Sequence, residues 1–234
     1  MDNKPTLEID DDGVKRWLLN GERPREDGPA VEEADGGREW WLNGKIHRMD
    51  GPAIEWAGGH REWWVDGILH REDGPAIEYA DGDKVWYLNG LRHREDGPAF
   101  EEADGSHREW YIDGERHRED GPAVEWASGH REWWVDGQTH RIDDPAIEWA
   151  NGDKVWYLNG KRHRTDGPAV EFISGHREWW VDGVRHREAG PAVEFPNGCK
   201  EWWVNGKYYE FDKWLVLNTT LSDEEKLMMK LTYG

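Results

Sequence analysis

Along most of the chain, apolar and polar residues alternate with a period of two, and Gly-containing pairs interrupt the alternation every few residues. In PAIEWA, from Pro52, Ile54 and Trp56 fall on one side and Ala53, Glu55 and Ala57 on the other. In REWWVDG, from Arg61, Trp63 and Val65 share a face, while Glu62, Trp64 and Asp66 share the opposite one. Successive side chains of a strand point to opposite faces, so this period predicts strands and not helices. The interruptions are turn chemistry: AGG, ADG, ASG or ANG on one side, NG or DG on the other. Asn or Asp followed by Gly accepts the positive φ that a tight hairpin needs. The pattern therefore predicts two short strands per repeat, joined by tight turns, with all neighbours antiparallel.

The alternation is periodic on a longer scale as well. Trp17, Trp40, Trp63, Trp86, Trp110, Trp133, Trp156, Trp179 and Trp202 step by 23 residues, with a single step of 24 between Trp86 and Trp110. A Pro-Ala pair recurs at Pro29, Pro52, Pro75, Pro98, Pro122, Pro145, Pro168 and Pro191; Gly precedes each except Pro145, which follows Asp144. GHREWWVDG appears at Gly59 and Gly129, and DKVWYLNG at Asp83 and Asp153. That longer echo indicates duplication of a three-repeat block. Repetition at this period predicts one supersecondary unit stacked many times. The expected organisation is a degenerate N-terminal capping repeat over 1–27, eight repeats over 28–206 and a helical cap over 207–234. The expected fold is an all-β repeat: an elongated, solenoid-like antiparallel β-meander of stacked hairpins.

The helical cap is read from a change of period. Phe211, Trp214, Leu215 and Asn218 sit at helical spacing, and Ser222 with Glu225 three residues later forms a capping box. Leu227, Met228 and Leu231 form an apolar stripe on the second helix. A stacked ribbon must protect its end strand, and a short helical hairpin closing the last repeat would do so.

Composition agrees with turns and strands: 18 Trp and 28 Gly in 234 residues, with few Met and one Cys. The formal net charge of −20 argues against a phosphate-rich or anionic-lipid partner and favours a basic one. With Cys199 as the sole cysteine no intramolecular disulfide can form, which fits a reducing compartment. No signal-peptide pattern or membrane-spanning apolar run is present, so the expectation is a cytoplasmic protein, of a host cell if viral. Asn218 in NTT matches a glycosylation sequon, which carries little weight without a secretory signal.

The unit EWWVDGQTHRIDDPAIEWANG, from Glu132, and its sisters resemble the MORN repeat in length, aromatic placement and paired Gly turns. The resemblance covers roughly residues 5–206. The chain departs from that pattern in reading H-R-x-D-G-P-A for H-G-x-G, and R-E-W for Y-x-G. It is similar in this to a variant class in bacteria, bacteriophages and large viruses. The resemblance implies scaffolding, protein binding and sometimes lipid association, the last disfavoured here by charge.

Identical positions of stacked repeats form ladders. His47, His70, His93, His117, His140, His163 and His186 form one, with Pro24 in the equivalent place of the first repeat. Equivalent residues of adjacent hairpins lie about 10 Å apart and zinc–nitrogen bonds are about 2 Å, so a loop-ordering role is expected over a metal site. Arg25, Arg48, Arg71, Arg94, Arg118, Arg141, Arg164 and Arg187 form a second ladder. Glu8, Glu32, Glu55, Glu78, Glu101, Glu125, Glu148, Glu171 and Glu194 form a third. One charge of each sign per repeat predicts guanidinium–carboxylate clamps between repeats, or Arg stacked on Trp. HRxD resembles the kinase catalytic loop, but it recurs in repeat after repeat and lacks a phosphate loop and partner Lys. No catalytic residue, cofactor or metal is expected.

A second aromatic column, Trp41, Trp64, Tyr87, Tyr111, Trp134, Tyr157, Trp180 and Trp203, lies opposite the first. If the HRxDG loops leave it bare, it is a candidate interaction surface; if they cover it, it is structural. The leading expectation is a non-enzymatic scaffold that binds a protein, possibly basic, along an acidic aromatic surface. Homo-oligomers and direct contact with other proteins are both compatible with it; direct nucleic-acid binding is not expected. Alternatives are a phage or viral inhibitor acting as an acidic decoy for a basic groove, and a nucleotide- or glycan-binding sponge.

Overall fold

The computed structural model describes residues 5–18 and 28–234; Pro24 and Arg25 of the ladders lie outside the described residues. The chain falls into two compact units, Met1–Arg116 and His117–Gly234.

In the first unit, the strands Thr6–Ile9, Lys15–Leu18, Val31–Glu32, Arg38–Glu39, Ile54–Glu55 and Arg61–Glu62 pair in chain order, each antiparallel to the last. Ile77–Glu78, Lys84–Val85, Phe100–Glu101 and His107–Glu109 continue the same meander. The second unit repeats it from Val124–Trp126 through Arg131–Glu132, Ile147–Glu148, Lys154–Val155, Val170–Glu171, Arg177–Glu178 and Val193–Glu194 to Lys200–Val204.

Each complete repeat contributes four strands of two or three residues, where the alternation predicts two short ones. The chain leaves the sheet at the first Trp column. Trp63 N–H crosses to Ala76 O of the next repeat at 2.8 Å, and the following residues fold into a side hairpin, Trp64–Val65 against Ile68–Leu69. Its turn holds Asp66 at φ 51° and Gly67 at φ 79°, the two positive values of a type I′ turn. The other turn is a three-residue loop: Gly59 N–H bonds Trp56 O and Trp56 N–H bonds His60 O, both at 2.9 Å, with Gly59 at φ 96°. That left-handed glycine makes the bulge such loops need. Both Gly turns thus close hairpins. The additional residue of the 24-residue step, Ser106, sits in the second kind of turn and its hydroxyl bonds Glu102.

Within the meander the fully buried residues are small. Ala53, Ala76, Ala123, Ala146 and their equivalents are wholly enclosed, and Val31, Ile54, Ile77, Val124 and Val170 beside them are nearly so. Each such branched side chain stabilises by about 1.5–3 kcal/mol on burial. Most of the first Trp column is only half-buried, so the core is built on the Pro-Ala-Val/Ile segment and Trp roofs it. Trp56 does not share the face of Ile54: the strand ends at Glu55, and Trp56 turns outward at 46 % exposure.

The second unit ends on helices α1 (Phe211–Leu217) and α2 (Asp223–Tyr233). Trp214 and Leu215 are buried against Trp202, and Met229 and Tyr233 pack on that cluster. The Ser222–Glu225 capping box forms in both directions. The stripe of Leu227, Met228 and Leu231 does not face the cluster; all three are more than half exposed. Asn218 is buried, its amide donating to Glu188 O and its oxygen accepting Thr220 and Leu221 N–H.

Candidate interaction surface

The HRxDG loops are held by their own charges. Arg71 lies over the Trp63 ring at 4.0 Å, donates Nε–H to Asp73 at 2.9 Å and donates Nη1–H to Pro75 O at 3.1 Å. The same guanidinium reaches Glu78 at 3.3 Å, beyond the turn. Arg48, Arg94, Arg118 and Arg164 repeat the Asp and Pro contacts. Arg187 lacks the Asp, where Ala189 stands, and keeps Trp179 at 3.7 Å and Glu194 at 3.1 Å. Each Glu of the ladder also faces a base across the sheet: Glu55 pairs with Arg38 and Arg61, and Glu78 with Arg61 and Lys84. In the second unit Glu125 faces Arg131, and Glu148 lies between Arg131 and Lys154. The ladders are therefore clamps. Hydrogen bonding to the arginines holds the Asp50, Asp73, Asp96, Asp120 and Asp166 carboxyls below their ordinary range.

At Asp144 the loop is rebuilt. A Cβ on the equivalent Gly121 would come within 2.9 Å of the Arg118 guanidinium carbon. Asp144 avoids that by moving Asp143 to φ 67° and offering its own carboxylate to Arg141 at 3.1 Å. Arg141 keeps Trp133 at 3.9 Å and Glu148 at 3.6 Å.

The His ladder orders turns of the following repeat. His47 Nδ1 lies 3.0 Å from Asp66 Oδ1, His70 Nδ1 3.0 Å from Asn89 Oδ1, and His163 Nδ1 2.9 Å from Asp182 Oδ1. Each partner is the positive-φ residue of a type I′ turn. Among the described residues no three His, Cys, Asp or Glu converge as a metal site.

Every member of the second aromatic column is half-buried. Trp64 donates Nε1–H to Glu62 at 2.7 Å, and Trp41, Trp134, Trp180 and Trp203 do likewise to Glu39, Glu132, Glu178 and Glu201. Tyr111 donates to Glu109 at 2.6 Å. Tyr87 and Tyr157 stand where no such Glu exists and accept Arg92 and Arg162 instead. A second set of arginines lies over this column, with Arg185 at 5.3 Å from both Trp180 and Trp203. The HRxDG loops do not supply that cover; Arg92, Arg162 and Arg185 belong to the side hairpins.

Within each unit exposed rings form a third column, at a position that the alternation puts on the same side as Ile54. Trp56, Tyr79, Trp126, Trp149 and Phe172 are 38–46 % exposed. Four residues after each ring stands a slot residue, and where this is His it packs edge-on or tilted against the rings. His60 lies 4.4 Å from Trp56 and 4.8 Å from Tyr79; His176 lies 5.5 Å from Phe172 and 5.0 Å from Phe195. The imidazole also reaches a Glu: His60 Nε2 to Glu62 at 2.9 Å, His130 to Glu132 at 2.9 Å, His176 to Glu178 at 2.8 Å. A carboxylate only accepts, so these rings carry the proton on Nε2. Burial would raise Glu178, but hydrogen bonds from His176 and Trp180 and the Arg185 charge outweigh it and hold the carboxyl below its ordinary range. Burial lowers His107, against the opposing pull of Glu109. The signal for this column was present: Trp56, Tyr79, Trp126, Trp149, Phe172 and Phe195 occupy one repeat position just before the Gly turn, a place ordinarily polar.

Among the described residues no helix is long and apolar enough to cross a membrane. No family model matches the chain, and no curated protein is significantly similar to it.

Proposed function

We propose that this protein is a non-enzymatic interaction scaffold, related to MORN-repeat proteins, that binds a protein partner along its acidic, aromatic-rich surface in the cytoplasm. The observation that carries the reading is the third aromatic column. Its rings are held in place by imidazoles packed edge-on or tilted against them yet remain 38–46 % exposed, an arrangement suited to hot-spot contact with little ordering cost. The net charge of −20 favours a basic partner. The ladder arginines are already engaged by Asp and Glu, which makes anionic ligands poor competitors and places the nucleotide sponge second. An acidic decoy for a basic groove is a special case of the same reading.

The test compares wild type with Trp126→Ala/Trp149→Ala/Phe172→Ala. Proteins retained by the wild type are purified and their affinities measured with both forms. The expected result is a directly binding protein whose affinity falls at least about tenfold in the variant, the loss of 1.4 kcal/mol or more that truncating hot-spot rings brings. Partners that bind both forms equally would refute the assignment of this column.

A further inference from the structure

The third column is not uniform. In the HREWW repeats the slot between successive rings is filled by His, as with His60 between Trp56 and Tyr79. In the DKVWY repeats the slot residue is Asp: Asp83 in the first unit and Asp153 in the second. Asp153 follows Trp149 and precedes Phe172, so it takes the position that His176 takes between Phe172 and Phe195. A carboxylate is smaller than an imidazole and offers no ring to pack against its neighbours. The result is an open cleft of about 430 Å³ lined by His130, Trp149, Ala150, Asn151, Asp153 and Phe172.

We infer that this cleft receives a planar cationic side chain, an arginine guanidinium presented by a partner protein. Three features converge. The walls are two aromatic rings, Trp149 and Phe172, each 38 % exposed, and ring faces attract cations. The neighbouring repeats place a flat, nitrogen-bearing ring in the equivalent slot, which indicates the shape that fits. The slot residue is an anion: Asp153 accepts Ile173 N–H at 2.8 Å and Asn151 Nδ2–H at 2.8 Å. These two donors fix the carboxylate and leave acceptor positions for a fork of N–H donors, since a carboxylate offers about four. Beneath it Val155 is buried, where HREWW repeats carry Glu, so no second carboxylate joins the site. The Asp83 slot is a built-in comparison: Glu102 follows it where Phe172 follows Asp153, so one ring wall is missing. This inference rests on the proposed scaffold role only in taking the cation from a protein.

The test is an NMR titration of the whole protein with a blocked Gly-Gly-Arg-Gly-Gly peptide, reading the Trp149 indole N–H resonance assigned through Trp149→Phe. A saturable shift is expected, absent with the citrulline analogue, which keeps the shape and loses the charge. Asp153→Asn is expected to weaken binding about tenfold. Asp153→His/Val155→Glu refills the slot with the chain's own alternative and is expected to abolish it, with the far-UV spectrum unchanged. Equal shifts with citrulline, undiminished binding in the refilled variant, or no shift up to about 10 mM peptide would each overturn the assignment. If the refilled variant still retains a purified partner that the triple ring variant loses, the scaffold reading stands and the cleft assignment falls.

Discussion

At the scale of single residues, the HREWW and DKVWY repeats use two coupled sets of side chains. Where the slot is His60, the sheet position is Glu62 and the hairpin ring is Trp64; where it is Asp83 or Asp153, these become Val85 and Tyr87 or Val155 and Tyr157. The carboxylate explains the coupling. Glu62 accepts both His60 Nε2–H and Trp64 Nε1–H, so losing it alone strands two donors. Glu62→Val should cost about 1–3 kcal/mol in urea unfolding. His60→Asp/Glu62→Val/Trp64→Tyr should recover most of that loss, because it rebuilds the chain's other arrangement. A triple variant no better than the sum of its single changes would contradict the coupling. The ladder residues were legible as charge pairs from the sequence, because they repeat with constant spacing and opposite sign. The Glu–His–Trp connection was not, since it depends on which side chains share a face across a break in the strand.

At the scale of elements, the turns were read correctly and the strands were not. Gly-containing pairs report a local backbone requirement, so Asp66-Gly67 could be identified without its surroundings. The exit of the chain at Trp63 is a tertiary event, set by its hydrogen bond to Ala76 of the next repeat, and alternation continues through it unchanged. The last repeat makes the point: with no further Pro-Ala segment after Trp202, the strand runs on unbroken over Lys200–Val204. The C-terminal helices divide the same way. The capping box was visible as Ser222 and Glu225, whereas the face that packs, Met229 and Tyr233, is decided by Trp202 and Trp214. Ser222→Ala should destabilise α2 by about 1 kcal/mol, seen as faster amide exchange over Asp223–Tyr233 with little change in the meander. Uniform loss of protection along the chain would contradict so local a role.

For the whole molecule, the charge makes acid stability a test of the clamps. Asp50, Asp73, Asp96, Asp120 and Asp166 all have folded-state carboxyls lowered by their arginines. A lowered carboxyl contributes stability that is complete above its unfolded value, about 3.9, and is lost as pH falls through the folded value. Stability measured by urea should therefore decline as pH drops below about 4. Arg71→Gln, Arg94→Gln and Arg164→Gln together should make that decline shallower. His107 acts earlier. Its lowered value means that folding disfavours its charged form, so the contribution of a neutral His107 is lost as pH falls below about 6.5. His107→Gln should remove that part of the profile and leave the acid limb. A wild-type profile flat from neutrality to pH 3 would refute both assignments.

The type I′ turns also bear on how the protein ages. Asn-Gly pairs lose ammonia when the glycine nitrogen attacks the asparagine side chain, and Asn89, Asn159 and Asn205 are among the asparagines of such pairs that stand in type I′ turns. Here that nitrogen is occupied: Gly90, Gly160 and Gly206 each donate N–H to the preceding repeat, at 2.9 Å to Leu69, Thr139 and Arg185. The asparagine is meanwhile held at the bend by a histidine nineteen residues earlier, as His70 holds Asn89. Sister turns already use the product of the reaction, aspartate, at Asp66, Asp136 and Asp182 in the same left-handed geometry. Stacking thus shields these bends from a common form of chemical wear, and direct hydrolysis to aspartate would substitute one working turn for another.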